Sequence, residues 1–308
     1  MAPPLVHSHT AAGHHESPAR YERPADLDAA LRRLAQGGWT PLAGGTDFYP
    51  ARVGRPVREA LLDLSGLHAL RGVAGCDGNG TAEWRIGALT TWSDVARMAP
   101  DPFLMALQQA AREVGGIQVQ NQATVGGNLC NASPAADGVP ALLALDAQVE
   151  LASVRGRRRL PLASFVLGNR RTALAPDELL IAVIVPRRSP RAVSRFLKLG
   201  HRRYLVISIA MAAVAVDFDD GDRLSHCAVA VGACSAAALR LPALERVLLS
   251  TPRAALVQRF DALEAAVFAP LAPIDDVRGS AAYRREAAVE LVRRLFAGFA
   301  DASTGAAA

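Results

Sequence analysis

Apolar residues recur at helical spacing soon after Pro24. Leu27, Ala30, Leu31 and Leu34 share one face, Asp26 stands where an N-cap belongs, and Gly37-Gly38 stops the run. Residues 39–43 then read as a short strand leading into Gly44-Gly45-Thr46-Asp47, and residues 59–64 and 81–88 as further strands. A helix is expected over residues 90–98, where Thr91 and Asp94 are spaced for a capping box. Pro102 opens a longer one whose apolar face is Phe103, Leu104, Leu107, Ala110, Ala111 and Val114, ended by Gly115-Gly116. A second glycine loop is expected directly after it. Residues 140–145 read as a short helix, 148–154 and 157–160 as a hairpin around Gly156, and 178–185 as a strand ended by Pro186.

Pro186-Arg187-Arg188-Ser189-Pro190 reads as a linker between domains. Beyond it, 193–199, 208–218 and 224–231 alternate as strands, with a turn at residues 219–222. Helical spacing takes over at 241–248, 254–268 and 280–299. The expected fold class is α+β, without internal repeats. The expected division is a tail over 1–20, a first domain over 21–188 in two lobes (about 21–75 and 76–188), a second over 192–300 made of an antiparallel sheet covered by helices, and a short tail over 301–308.

A chain of 308 residues with 51% hydrophobic content can bury a sizeable core in two or three units. Its longest apolar stretch, 205–216, is too short to span a bilayer and runs into Asp217, so no membrane span is expected. Residues 1–20 carry four of the seven histidines without apolar periodicity and read as a disordered tail. No charged segment followed by an apolar one opens the chain, which leads to the expectation of a cytoplasmic protein. Cys76, Cys130, Cys227 and Cys234 form no Cys-x-x-Cys pair and suggest neither zinc nor iron–sulfur ligation, with Cys130 read as a small core residue. The net charge of +5 comes from dispersed arginine pairs without interleaved aromatics, which fits solvated faces and subunit contacts better than nucleic-acid binding.

Candidate chemistry concentrates in two places. Thr124-Val125-Gly126-Gly127-Asn128-Leu129-Cys130-Asn131-Ala132-Ser133-Pro134-Ala135-Ala136-Asp137 packs two glycines, neutral polar side chains and a closing carboxylate into one stretch, a composition suited to backbone laid against a polyphosphate. Gly44-Gly45-Thr46-Asp47 is a second such place. Taken singly, each glycine pair reads more readily as a tight turn than as a ligand site, and the two together favour the ligand reading. Lys198 is the single lysine in an arginine-rich chain, either by chance or because a compact ammonium is wanted there.

In order and spacing, Leu42-Ala43-Gly44-Gly45-Thr46-Asp47, then Ala123-Thr124-Val125-Gly126-Gly127-Asn128-Leu129, then Asn131-Ala132-Ser133-Pro134-Ala135-Ala136-Asp137 resemble the FAD-binding medium subunit of molybdenum hydroxylases of the xanthine dehydrogenase and carbon monoxide dehydrogenase type. The later segment Asp276-Val277-Arg278-Gly279-Ser280-Ala281-Ala282-Tyr283-Arg284-Arg285 is similar to that family's C-terminal domain. The resemblance spans about residues 21–300. It implies a two-lobed FAD-binding domain of the vanillyl-alcohol-oxidase type and a smaller C-terminal domain, with FAD held noncovalently.

By the same resemblance Leu42, Ala43, Gly44, Gly45, Thr46, Asp47 and Phe48 would wrap the pyrophosphate. Val114 and Gly115 would lie beside the adenine and ribose. Thr124, Gly126, Gly127, Asn128, Asn131 and Ser133 would make the second loop's contacts, and Asp137 would bond the cofactor's polar chain or ring. Leu179 and Leu180 would pack on the flavin, and Lys198 would stand near the isoalloxazine, where a cation stabilises the charge of the reduced ring. For Asp137 the residues alone leave open an N-cap role for the helix near Pro140.

The implied partners are a large molybdenum-pterin subunit and a small subunit with two [2Fe–2S] clusters, as a dimer of heterotrimers, with a small-molecule electron acceptor such as NAD⁺, a quinone or O₂. No metal is expected on this chain. Gln120 departs from the arginine many relatives carry, and no histidine sits in a glycine loop to link a flavin covalently. Two other readings remain at this stage: a self-contained FAD-dependent oxidoreductase, and a basic scaffold or nucleic-acid-binding protein whose glycine pairs are only turns.

Overall fold

The computed structural model describes residues 20–78, 81–202 and 205–301. The histidine-rich stretch 1–19 and the last residues, 302–308, lie outside them. The first helix, Leu27–Ala35, begins where its cap predicts: the Asp26 carboxylate accepts the Ala29 N–H at 2.7 Å, and Ala30, Leu31 and Leu34 are buried. It packs beside a small parallel sheet of Tyr21–Glu22, Ala60–Asp63 and Trp39–Leu42, with Ala60–Asp63 in the middle.

The next layer is a five-stranded antiparallel sheet in the order Val73–Gly78, Thr81–Gly87, Leu179–Pro186, Gln148–Ser153, Gly156–Pro161. Its central strand, Leu-Leu-Ile-Ala-Val-Ile-Val-Pro, is buried on both faces, which is why it is apolar without alternation. Leu179 and Ile181 pack toward Leu31 and Leu34, whereas Leu180, Val183 and Val185 pack toward Leu107, Leu129 and Leu142. The parity changes at an irregularity between Leu180 and Ala182, where the ladder slips by one residue.

A helical layer covers the second face: Trp92–Arg97, Met105–Glu113, Ile117–Gln122, Val125–Asn131 and Gly138–Ala144. A four-stranded antiparallel sheet follows, Val193–Leu199, Ala210–Phe218, Leu224–Gly232 and Leu239–Arg240 in that order. Much of its inner face is alanine, with Phe196 and Met211 beside it. Ala213, Ala215, Ala228 and Ala230 join the core of the helical layer, while Val214, Val216, Val229 and Val231 face the outer helices Pro242–Leu248, Leu256–Asp261 and Ala281–Asp301. Methyl side chains on the inner face let helices and sheet approach closely, so both halves of the chain share one core.

Several expectations shift. The helix expected from Pro102 starts at Met105, because Asp101 Oδ1 accepts the N–H groups of Phe103 (2.9 Å) and Leu104 (3.1 Å) and holds them in a turn. The helix expected over 254–268 breaks after Asp261, which lets Phe268 fold back on Phe260 with ring centroids 6.0 Å apart. The strand Val73–Gly78 was not expected, since Val-Ala-Gly-Cys-Asp-Gly offers little β propensity, and its neighbour Thr81–Gly87 supplies the pairing. No helix among the described residues is long and apolar enough to cross a membrane.

Between Pro186 and Val193 the chain forms no strand or helix. The two halves meet there around Asp146, whose carboxylate accepts Arg240 Nη1 at 2.6 Å and also pairs with Arg188, with His226 Nε2 3.5 Å away. Burial alone would raise the Asp146 carboxyl, but the two arginines outweigh it and the net shift is downward. Burial, seconded by Arg188 and Arg240, lowers the His226 pKa below 6.5 despite the pull of Asp146 and Glu245. A neutral His226 therefore belongs to the fold, and its contribution is complete above pH 6.5 and lost as pH falls below that value. Chemical denaturation between pH 7.5 and about 5.5 should show stability falling in the wild type and falling less in His226→Gln.

Candidate functional site

A cleft of about 460 Å³ opens between the small lobe and the helical layer. Leu42, Ala43, Gly44, Gly45, Thr46, Asp47 and Phe48 form one wall, at the carboxyl end of the parallel strand Trp39–Leu42. Thr124, Gly126, Gly127, Asn128 and Asn131 form the facing wall, Val114 lies on a third side, and Leu179 and Leu180 enter from the start of the central strand. The ends of strands in such sheets are where ligands ordinarily lodge.

The walls come together because of Gly44. A Cβ there would overlap the carbonyl of Gln122 and lie 3.0 Å from Ala123 Cα, so only glycine lets the small lobe rest on this backbone. Gly45 follows with φ +69° and would press a Cβ on the Tyr49 ring. Among the described residues, no main-chain N–H from Gly44 to Phe48 donates a hydrogen bond within the protein. Five successive donors thus stand unpaired in the cleft wall, the arrangement that receives an oxyanion.

The second glycine stretch has a different structure from the loop expected. Thr124 caps a helix, Val125–Asn131, accepting the Gly127 N–H on Oγ1 at 3.0 Å. Its first N–H groups are already bonded: Val125 to Thr90 O at 2.9 Å, Gly126 to Ala88 O at 2.8 Å, Asn128 to Thr124 O at 3.0 Å. From Val125 to Asn128 the backbone has no free N–H to give a phosphate. Both glycines line the cleft, but a Cβ on Gly126 would lie 2.8 Å from that of Ala88, so glycine is required there for packing. What this wall offers a ligand is side chains; the Asn128 side-chain oxygen is buried without a protein partner.

Four of the expected residues stand outside the cleft lining. Gly115 (φ +53°) turns the chain after Met105–Glu113, where a Cβ would lie 2.9 Å from that of Val119. Ser133 Oγ accepts the Ala135 N–H at 3.3 Å. Asp137 occupies the N-cap position of Gly138–Ala144 but caps nothing. Its carboxylate instead accepts Lys198 Nζ at 2.8 Å and Ser208 Oγ at 2.7 Å. Lys198 also donates to Glu113 O at 3.1 Å, next to Val114, so the buried ion pair stands directly behind the wall and joins the two halves. Burial pushes the Asp137 carboxyl upward, and Lys198 and Ser208 pull it part of the way back.

Residues that sequence reasoning passed over include Leu64, Leu89, Leu174 and two arginines. The Arg52 guanidinium lies 3.6 Å from the Phe48 ring centroid, donates to Phe48 O at 3.0 Å, and is neutralised by Glu59, whose carboxyl it holds down at about 2. Arg170 bonds the Asn131 side-chain oxygen. Cys130 is exposed and lines the cleft, which corrects its reading as a core residue. The cleft therefore combines free amide donors, small polar groups and an apolar side made of Leu64, Leu174, Leu179, Leu180 and Val114, a donor set that fits a dinucleotide carrying a diphosphate and flat rings.

Comparison with known proteins agrees. The description "FAD binding domain in molybdopterin dehydrogenase" matches residues 16–188, and "CO dehydrogenase flavoprotein C-terminal domain" matches residues 195–298. The chain is 33% identical over 227 residues to the nicotinate dehydrogenase FAD-subunit of Eubacterium barkeri, covering 71% of this chain and 75% of that one. It is 30% identical over 270 residues to the xanthine dehydrogenase FAD-binding subunit of Escherichia coli O157:H7, covering 86% and 90%. Among solved structures, carbon monoxide dehydrogenase from Hydrogenophaga pseudoflava lacking the Mo-pyranopterin moiety of its molybdenum cofactor superposes with a TM-score of 0.79 at 28% identity, covering 91% of this chain and 96% of that one.

The ion pair behind the wall gives a test of how the halves are held. Lys198→Met leaves Asp137 buried opposite Ser208 alone and should cost about 3–5 kcal/mol in denaturant unfolding. The double variant Lys198→Met/Asp137→Asn should recover part of that loss.

Proposed function

The chain belongs to the FAD-binding subunits of the molybdopterin dehydrogenase family, and we propose that it works inside a heteromeric molybdenum hydroxylase, receiving electrons from [2Fe–2S] clusters of a small partner subunit and passing them to an external acceptor. It is an FAD-binding oxidoreductase subunit. When bound, FAD supplies the redox chemistry, accepting electrons and releasing them to the acceptor. A large partner would hold the molybdenum-pterin centre and with it the choice of substrate.

The observation that carries this reading is the row of unpaired amide donors from Gly44 to Phe48 facing an apolar side. In this assignment Gly44 to Phe48 hold the diphosphate, and the Thr46 hydroxyl adds a further donor. Thr124, Gly127, Asn128 and Asn131 meet the polar chain, and Leu179, Leu180 and Val114 meet flat rings. Gly126 acts through packing, and Gly115 and Ser133 shape the wall from behind. Lys198, held by Asp137, acts on the cofactor electrostatically from behind Val114.

Purified chain mixed with FAD should acquire a flavin band at about 450 nm that survives desalting and is released by acid, as noncovalent binding requires. A chain that stays colourless after reconstitution contradicts the reading. In the assembled complex a hydroxylation substrate should bleach that band, while the isolated chain given the same substrate should keep it. Bleaching of the isolated chain by an organic substrate would instead support a self-contained oxidoreductase.

A further inference from the structure

The structure assigns Arg170 to the cleft as the cation that neutralises the cofactor's diphosphate, a role that rests on the FAD reading above and adds to it a residue outside the glycine motifs. Two arginines line the cleft. Arg52 is taken by Glu59, in a bond to Oε1 at 3.0 Å through Nε and a shorter one through Nη2. Arg170 has no such partner: among the described residues it makes no ion pair with a carboxylate, and its guanidinium rests on the neutral side-chain oxygen of Asn131. Asp47, the carboxylate in the lining, is exposed on the facing wall and forms no ion pair with Arg170. A guanidinium bound only to an amide oxygen keeps most of its donors and all of its charge available to an anion.

The placement is fixed by backbone. Arg170 sits in the tight connection between Val166–Gly168 and Arg171–Thr172 with φ +57°, a left-handed conformation that an arginine adopts at a cost. Its N–H donates to Ala132 O at 3.0 Å, and Ala132, the C-cap of Val125–Asn131, is itself left-handed at φ +47°. The hairpin tip is thereby bonded to the end of the cleft-wall helix. At the other end of that helix, a Cβ on Gly127 would lie 4.0 Å from that of Ala43, beside the row of free donors. From Gly127 to Asn131 is four residues, about 6 Å along a helix axis. That is within the reach of an arginine side chain, so an anion held by Gly44 to Phe48 lies within range of Arg170.

A phosphate diester pair carries two negative charges, and amide donors alone supply no compensating charge. Arg170 supplies it from the facing wall. It follows that Arg170 favours FAD over riboflavin, which has the same ring system and no phosphate, and that part of the FAD affinity is lost as salt screens the cleft.

The experiment measures Kd by flavin fluorescence quenching for FAD and riboflavin, at low and high salt, in the wild type, Arg170→Gly and Arg170→Lys. Glycine relaxes the left-handed position, so Arg170→Gly should fold with thermal stability at least equal to the wild type. It should bind FAD about 10- to 100-fold more weakly with a flatter salt dependence. Its riboflavin affinity should be unchanged, and Arg170→Lys should retain most of the FAD affinity. Equal FAD affinity and salt dependence in wild type and Arg170→Gly overturns the assignment, as does an equal loss for FAD and riboflavin, which marks Arg170 as shaping the cleft only. A wild type that binds no FAD overturns the functional reading itself and this assignment with it.

Discussion

The cleft exists because two backbones touch at a position with no side chain. Gly44 rests against the peptide of Gln122 and Ala123, a contact that any Cβ would forbid. This contact brings the small lobe onto the helical layer and sets the width of the space between them. The loop after Trp39–Leu42 lines that space, and among the described residues its N–H groups from Gly44 to Phe48 donate no hydrogen bond within the protein. These residues are half-buried or exposed, so their donors meet water in the free chain and are open to an acceptor that enters the cleft.

The rest of the chain holds that geometry in place. The N–H groups of Val125 and Gly126 are tied to Thr90 and Ala88, which anchors the facing wall to the end of the strand Thr81–Gly87. Behind the wall, Lys198 reaches from the second half to Asp137 and Glu113 O, and Ser208 completes the shell of the carboxylate. The alanine face of Ala210–Phe218 and Leu224–Gly232 lets that second half sit close enough for the lysine to arrive. A sheet that would otherwise be a separate unit thus buttresses the cleft wall.

Much of this was legible in the residues, unevenly. The first helix, the capping box at Thr91 and the alternating strands were readable because periodicity and caps are local signals. The first glycine loop was readable from its resemblance and its position after a strand. The second glycine stretch was misread as a loop, because two adjacent glycines disfavour a helix while the Thr124 cap and the bonds to Ala88 and Thr90, which override that preference, lie partly outside the local sequence. Ile117–Gln122 carries no apolar face and left no periodic trace. The pairing of Asp137 with Lys198 spans 61 positions and could not be read from spacing. Arg52 and Arg170 were hidden among many arginines; the adjacent Arg170-Arg171 pair looked like a solvated face, and only the fold separates the one that lines the cleft.

The central claim is that the first glycine loop, through its free amides, holds the cofactor, while the second glycine stretch is a helix already bonded to its neighbours. Residue-resolved amide hydrogen exchange in the presence and absence of FAD tests it most directly. The account predicts fast exchange from Gly44 to Phe48 in the free chain and marked slowing when FAD binds, with Gly126 to Asn128 slow in both states. Unchanged exchange from Gly44 to Phe48 on FAD binding, with new protection confined to Gly126 to Asn128, would contradict it.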